Sequence, residues 1–310
     1  MARILVTGAG GFIGAGLCPA LAARGHAVIA GLRRAARVEE AEPFILGDIG
    51  PTTDWTPVLR GIDIVIHLAQ RAHAGLDPPA LAAEPATVAS LARAMGAAGA
   101  RRLVLVSSIK AMGEATAPGR PFRPDDEPRP EDAYGRAKLG SERAAREAAD
   151  NAGLELVVIR PPLVYGAGVK ANFAALIRLA ASGAPLPFAA LDNRRSLIFR
   201  DNLVDLLAVA ATHKAASGMI LLARDDADFS TPDLIRALAA GLGRKARLFP
   251  VPAALFAALG ILPTIGPLLS RLTGSLQVDD SATRSALGWA PPVPAAAALR
   301  ETARTFAAGL

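Results

Sequence analysis

The stretch Ile4-Leu5-Val6-Thr7-Gly8-Ala9-Gly10-Gly11-Phe12-Ile13-Gly14 decides the fold. An apolar, β-branched run ends in a glycine cluster and passes directly into an apolar segment with helical spacing. That order predicts a strand, a tight turn and a helix whose first N–H groups face an anion, as in the binding of a dinucleotide pyrophosphate. Gly8 permits the turn, Gly11 lets the backbone approach the phosphates, and Gly14 lets the helix pack close on the strand. Gly10, Phe12 and Ile13 fall inside the same cradle.

Outward from this stretch, apolar runs alternate with helix-like segments. Strands are expected at Arg3–Thr7, Ala27–Gly31, Pro43–Leu46, Asp63–His67, Arg102–Ser107, Leu154–Arg160 and Met219–Leu222. Several are continuous apolar runs, as suits parallel strands covered on both faces. Helices are expected near Phe12–Arg24, Ala80–Ala98, Tyr134–Ala152, Asn172–Ser182, Asn202–His213 and Thr231–Gly241, with Asp201 and Thr231 as starting caps. Pro19 is expected to kink the first helix and Pro85 to interrupt the second. The alternation predicts an α/β chain: a Rossmann-type doubly wound parallel sheet with a smaller C-terminal substrate domain built from interleaved segments. The dinucleotide-binding domain is expected over 1–163, also receiving about 196–223, and the substrate domain over 164–195 and 224–310. Residues 115–132, rich in Pro, Arg and acids, read as a surface loop able to cover a cleft.

The chain has 310 residues, ample for a buried core, and aromatic residues are only 5% of it. The interior must therefore be built mainly from Ala, Leu and Val. Cys18 is the only cysteine, which excludes an internal disulfide and suits a reducing compartment. The net charge is +6, yet the arginines are scattered. That fits attraction of small anions, not a nucleic-acid partner. The N-terminal apolar run is short and holds the glycine turn, so no signal peptide is read and a cytoplasmic location is expected. The uncharged stretch 249–270 is long enough to span a bilayer. Its prolines break it into shorter pieces, leaving a peripheral contact with the inner membrane or a partner as an open reading. Four histidines and one cysteine show no metal-ligand spacing, and no Ser-His-Asp arrangement points to hydrolysis.

The reactive candidates are few. One of only two tyrosines lies in Tyr134-Gly135-Arg136-Ala137-Lys138. Positions i and i+4 share a helix face, so Tyr134 and Lys138 are expected to meet. An ammonium beside a phenol favours phenolate and lowers its pKa, making Tyr134 a general acid/base for a hydroxyl or ketone. Ser107 and Ser108 end a strand where parallel sheets bind ligands. Ser108 is the preferred working hydroxyl, Ser107 its helper or an end-of-strand group.

Together, Thr7-Gly8-x-x-Gly11-x-x-Gly14, Ser108 and Tyr134-x-x-x-Lys138 resemble the extended short-chain dehydrogenase/reductase family, in its nucleotide-sugar epimerase/dehydratase branch. Gly47-Asp48-Ile49, His67-Leu68-Ala69, Arg160-Pro161-Pro162-Leu163-Val164-Tyr165-Gly166 and Leu287-Gly288-Trp289 extend the resemblance over nearly the whole chain. The resemblance implies a nicotinamide cofactor, a nucleotide-sugar substrate and transient keto-sugar chemistry. It places Asp48 and Ile49 by the adenine, Leu68, Ala69 and Pro161 along the cofactor, and Lys138 on the nicotinamide ribose. It also implies substrate contacts. Arg195 is the first choice for the diphosphate, with Asn172 on diphosphate or sugar and Arg71 and His73 towards the sugar. Helices 80–98 and 134–152 often pair across a homodimer in such proteins.

Departures from the family pattern narrow the choice. NAD-preferring members carry an acid after the second strand; here Arg33 and Arg34 stand there, and the first carboxylate is Glu39. Two guanidiniums suit a 2′-phosphate, which favours NADP (as NADPH) over NAD. Ile109 and Lys110 replace the acidic pair of dehydratases, which discounts dehydration. Reduction of a UDP-4-keto-6-deoxy-(amino)sugar for surface polysaccharide is the first reading and UDP-sugar 4-epimerisation the second. A redox sensor without turnover and a reductase of a non-sugar carbonyl remain alternatives, the last because a family asparagine is missing near Ala83.

Overall fold

The computed structural model describes residues 1–69, 78–117, 119–252, 255–256 and 266–308. Strands β1 (Arg3–Thr7), β2 (Ala27–Leu32), β3 (Glu42–Ile45), β4 (Ile64–His67), β5 (Arg102–Val106) and β6 (Glu155–Arg160) lead to two short strands, β7 (Leu163–Tyr165) and β8 (Leu197–Phe199). The last strand is β9 (Ile220–Leu222). Seven of them form one sheet in the order β3-β2-β1-β4-β5-β6-β9, every pairing parallel. The order reverses beside β1, where a crevice opens at the carboxyl ends of the strands. The expected doubly wound α/β architecture is therefore the observed one, and all seven expected strands enter this sheet.

Helices α1 (Gly14–Ala22), α2 (Thr56–Leu59), α3 (Pro78–Ala97), α4 (Ala133–Ala152), α5 (Ala171–Ala181) and α6 (Arg200–Thr212) connect the strands. They are followed by α7 (Thr231–Gly241), α8 (Gly266–Thr273), α9 (Ser281–Leu287) and α10 (Ala295–Ala308). One core layer sets α1 and α6 against the sheet through Leu17, Leu21, Leu203 and Leu207. The opposite layer sets α3 and α4 against it through Val88, Leu91, Ala145 and Ala149. A third core joins α5, α7 and α10 to the β7–β8 pair through Phe173, Ile177, Leu234, Leu238 and Leu299. Burial of the Val, Leu, Ile and Phe side chains among these stabilises by roughly 1.5–3 kcal/mol each.

Several local expectations are corrected. α3 runs unbroken through Pro85, whereas Pro19 lies inside α1 as expected. The Pro85 ring instead packs on α4, where a Cβ on Gly140 would lie 3.0 Å from its Cγ. α6 begins at Arg200 with Phe199 as its cap, so Asp201 is a first-turn acid. Ser230, not Thr231, caps α7 and accepts from the Asp233 N–H. The 115–132 loop is pinned: Thr116 N–H donates to Ser275 O at 2.9 Å and Phe122 N–H to Gln277 O at 2.9 Å. The β7–β8 pair was not expected as a sheet. Cys18 is buried, and burial pushes its thiol up to about 11.

Among the described residues no helix is long and apolar enough to cross a membrane. Within 249–270, Phe256 is buried and stacks on Phe188 with ring centres 5.8 Å apart. Leu255 and Phe249 are exposed. The remainder of that stretch, apart from 250–252 and 266–270, lies outside the described residues.

Candidate active site

The glycine turn has the geometry its sequence requires. Gly8 has φ +70°, and a Cβ there would lie 3.0 Å from Ala69 N. A Cβ on Gly14 would lie 2.5 Å from Gly8 O, so α1 starts hard against the turn. Ile13 caps α1 without a side-chain hydrogen bond, and its first turn carries no acid. A helix start of this kind offers its N–H groups and positive dipole end to an anion. Thr7 anchors the neighbouring strand: its hydroxyl meets His67 Nδ1 at 2.9 Å and accepts from Ala69 N–H at 3.3 Å. Leu68 and Ile49 are half-buried beside these strand ends, and Pro161 follows β6 at the same edge. Arg33 and Arg34 follow β2 and are exposed; Arg33 lies 3.9 Å from Asp48, which joins two residues expected at the adenosine end. This cradle fits a dinucleotide pyrophosphate: a tight glycine approach and a helix start without a side-chain cap.

The candidate reacting group, Ser108, Tyr134 and Lys138, is assembled by α4 and the end of β5. Asp132 caps α4, accepting from Gly135 N–H at 2.6 Å. Lys110 fixes that cap from below, donating to Asp132 Oδ2 at 2.7 Å and to Glu114 Oε1 at 2.8 Å. Lys110 thus occupies the place of a dehydratase acid and has a structural task. Ser108 caps the short 3-10 turn Ile109–Ala111, accepting from Lys110 N–H at 3.2 Å, and its hydroxyl lies close enough to the Tyr134 phenol to favour the phenolate. Lys138 Nζ sits 5.1 Å from the Tyr134 ring centre. Ser107 turns away and donates to Glu142. Glu142 in turn receives Arg160 Nη2 at 2.6 Å in a buried ion pair. That network ties α4 to β5 and β6 beneath the reacting pair.

The electrostatics differ from the sequence expectation. Burial pushes the Tyr134 phenol up to about 12, aided by Glu84 and Asp132 and opposed by the Ser108 hydrogen bond. Lys138 is pushed down to about 8 by burial, against the pull of Glu84 and Glu142. The expected lowering of the phenol is thus outweighed by desolvation. His67 is fully buried and pushed down to about 3 by burial and by Lys138, so it is a neutral packed histidine.

Glu84 was missed in the sequence. It lies on α3, 7% exposed, with its carboxylate 3.5 Å from Lys138 Nζ. An acid inside the apolar stripe Leu81, Val88, Leu91, Met95 was the available signal. Arg195 and Asn172 lie outside the seven-stranded sheet, before β8 and on α5. Arg195 precedes β8, is half-buried and donates to Gly274 O at 3.0 Å. Asn172 is exposed in the first turn of α5. Arg71 and His73 lie outside the described residues.

Fold and site together define a Rossmann-type chain with a Ser–Tyr–Lys group at its crevice. It belongs to the NAD dependent epimerase/dehydratase family, which matches residues 4–222. As a member it is an NAD-dependent enzyme of the epimerase or reductase kind. It is 38% identical to a UDP-glucose 4-epimerase of Vibrio cholerae, over 98% of this chain and 95% of that one. It is 32% identical to a 3-diazoavenalumate denitrifying reductase of a Streptomyces species, over 94% and 97%. The structure is similar in fold to a UDP-N-acetylglucosamine 4-epimerase from Bacillus cereus, with TM-score 0.80 and 19% identity over 99% of both chains.

Proposed function

We propose that the chain is a nucleotide-sugar oxidoreductase acting at C4, in the direction of reducing a UDP-4-keto-6-deoxy-(amino)sugar with NADPH. The single observation that carries the direction is the pair Arg33–Arg34 after β2, with no acid there to favour the unphosphorylated ribose. NADPH is the reductant of a cofactor-exchanging enzyme. The bound nicotinamide supplies or accepts the hydride. Tyr134 donates a proton to the C4 oxygen as the carbonyl becomes an alcohol, Ser108 holds that oxygen, and Lys138 provides positive charge beside the phenol. The raised phenol pKa suits this acid role, since Tyr134 stays protonated until a carbonyl arrives. Gly8, Gly10, Gly11, Phe12, Ile13 and Gly14 take the pyrophosphate, while Asp48, Ile49, Leu68, Ala69 and Pro161 line the rest of the cofactor. In this reading 1–163 with about 196–223 hold the cofactor. Residues 164–195 and 224–310 hold the substrate, with Arg195 on the diphosphate and Asn172 near it.

One observation favours a second reading, 4-epimerisation of a UDP-sugar with retained cofactor: the full-length likeness to the Vibrio cholerae UDP-glucose 4-epimerase. The two separate in one assay. The chain is incubated with NADPH or NADH and a panel of UDP-sugars and UDP-4-keto-sugars. Stoichiometric loss of reduced cofactor with a keto-sugar supports reduction. Interconversion of two UDP-sugars without net cofactor change overturns it in favour of epimerisation.

A further inference from the structure

Glu84 is a carboxylate that neither sequence motif nor the mechanism above requires. It sits among apolar neighbours on α3, 7% exposed, directly over α4. Its Oε2 is 3.5 Å from Lys138 Nζ, and both side chains are almost wholly withdrawn from water. Among the described residues three further titratable groups of the packed elements bear on the pair. From α4 come the Tyr134 phenol and, one turn beyond Lys138, Glu142. From β4 comes His67, which lines the same pocket of about 100 Å³ as Glu84.

His67 does not neutralise Glu84. Its ring is fully buried, its Nδ1 is engaged with Thr7, and its Nε2 has no hydrogen-bond partner among the described residues. A second cation there would also face the Lys138 ammonium. Among the described residues the cation that faces Glu84 is Lys138, 3.5 Å away.

The converse matters more for chemistry. An isolated ammonium this deeply buried sheds its proton, because desolvation disfavours the charged form. We propose that Glu84 is a positioning residue whose carboxylate keeps Lys138 charged and fixed over Tyr134, so that the ammonium persists at neutral pH in a dry site. This rests on the reading of Tyr134 and Lys138 as the reacting pair. Glu84 touches neither hydride nor carbonyl; it acts through the lysine. Burial and the carboxylate oppose each other in setting the lysine near 8, and Glu84 is the foremost of the groups that raise it, so deleting the carboxylate lets burial pull the lysine further down.

The test is a titration that needs no turnover. The chain has five lysines, so their ε-carbons are separable by carbon NMR with labelled lysine, and Lys138 is assigned by the signal lost in Lys138→Arg. In the unaltered protein the Lys138 midpoint is expected near 8. Glu84→Gln is expected to lower it by roughly one to three pH units, the effect of removing a close opposite charge. Glu84→Asp retains the charge and is expected to restore most of the shift. In parallel, the alkaline limb of the kcat/KM profile for keto-sugar reduction is expected to move down with the Glu84→Gln midpoint and to return in Glu84→Asp. An unchanged Lys138 midpoint in Glu84→Gln overturns the proposal. So does a midpoint below about 6 in the unaltered protein, which decides the matter even if Glu84→Gln fails to fold. If the midpoints move as expected but no keto-sugar is reduced, the charge-holding role stands and the proposed reaction falls.

Discussion

Gly135 is the residue whose substitution most directly separates the geometry of the site from its chemistry. It lies between Tyr134 and Lys138 on α4, and a Cβ added there would come 2.4 Å from the Lys110 carbonyl oxygen and 3.1 Å from Pro130 Cβ. Ordinary van der Waals contact begins at 3.4 Å, so Gly135→Ala must push α4 and the Ile109–Ala111 turn apart by about 1 Å. That turn starts at Ser108, so the gap opens between Ser108 and Tyr134, the two hydroxyls that the proposed mechanism sets on one substrate oxygen. A displacement of this size costs on the order of 100-fold in kcat. Overpacking also costs about 1–3 kcal/mol of stability, which a folded chain of this size tolerates. The assay is kcat for keto-sugar reduction beside the Kd of NADPH and the urea midpoint. The expected result is a large loss of kcat with cofactor affinity changed only a few fold. A kcat within threefold of the unaltered enzyme refutes the claim that contact between α4 and the β5 turn sets the reacting geometry.

Three further outcomes follow from the same structure. Glu142→Gln leaves Arg160 buried without its carboxylate partner and is expected to cost about 3–5 kcal/mol, read as a lowered denaturant midpoint. Native His67 stays neutral down to about pH 3, whereas the unfolded imidazole protonates near 6.5. Stability is therefore present above 6.5 and lost as pH falls towards 3, by about 2 kcal/mol at pH 5; urea unfolding of His67→Asn should lack this slope. The double substitution Arg33→Ala with Arg34→Ala is expected to weaken NADPH roughly ten- to hundredfold and NADH only slightly, by fluorescence titration. Equal weakening of both cofactors removes the argument for a 2′-phosphate.

The sheet was legible because its strands are continuous apolar runs, and burial on both faces leaves the pattern little freedom. β7 and β8 were not, since three residues each carry no period. The C-terminal helix α10 was not read although it is amphipathic, with Ala295, Ala298, Leu299 and Ala303 buried and Arg300, Glu301 and Arg304 exposed; most of its buried face is alanine, which marks a core-facing stripe only weakly. Pro85 read as a break because its steric cost is local, whereas the packing of α3 on α4 that absorbs the cost is not. At the site, the i, i+4 spacing brought Tyr134 and Lys138 to one face. The sign of the Tyr134 shift was not legible, because it depends on burial and on Glu84, 50 positions away on another helix. The same holds for Lys110 and Asp132, whose pairing exists only once the loop between them has closed.

Hydride delivery to C4 under the control of Tyr134 is tested most directly with NADPH deuterated at the transferring position and a UDP-4-keto-sugar. The account predicts one deuterium at C4 of the product for each cofactor oxidised, and none with Tyr134→Phe under the same conditions. Product without deuterium at C4, or undiminished turnover by Tyr134→Phe, contradicts it.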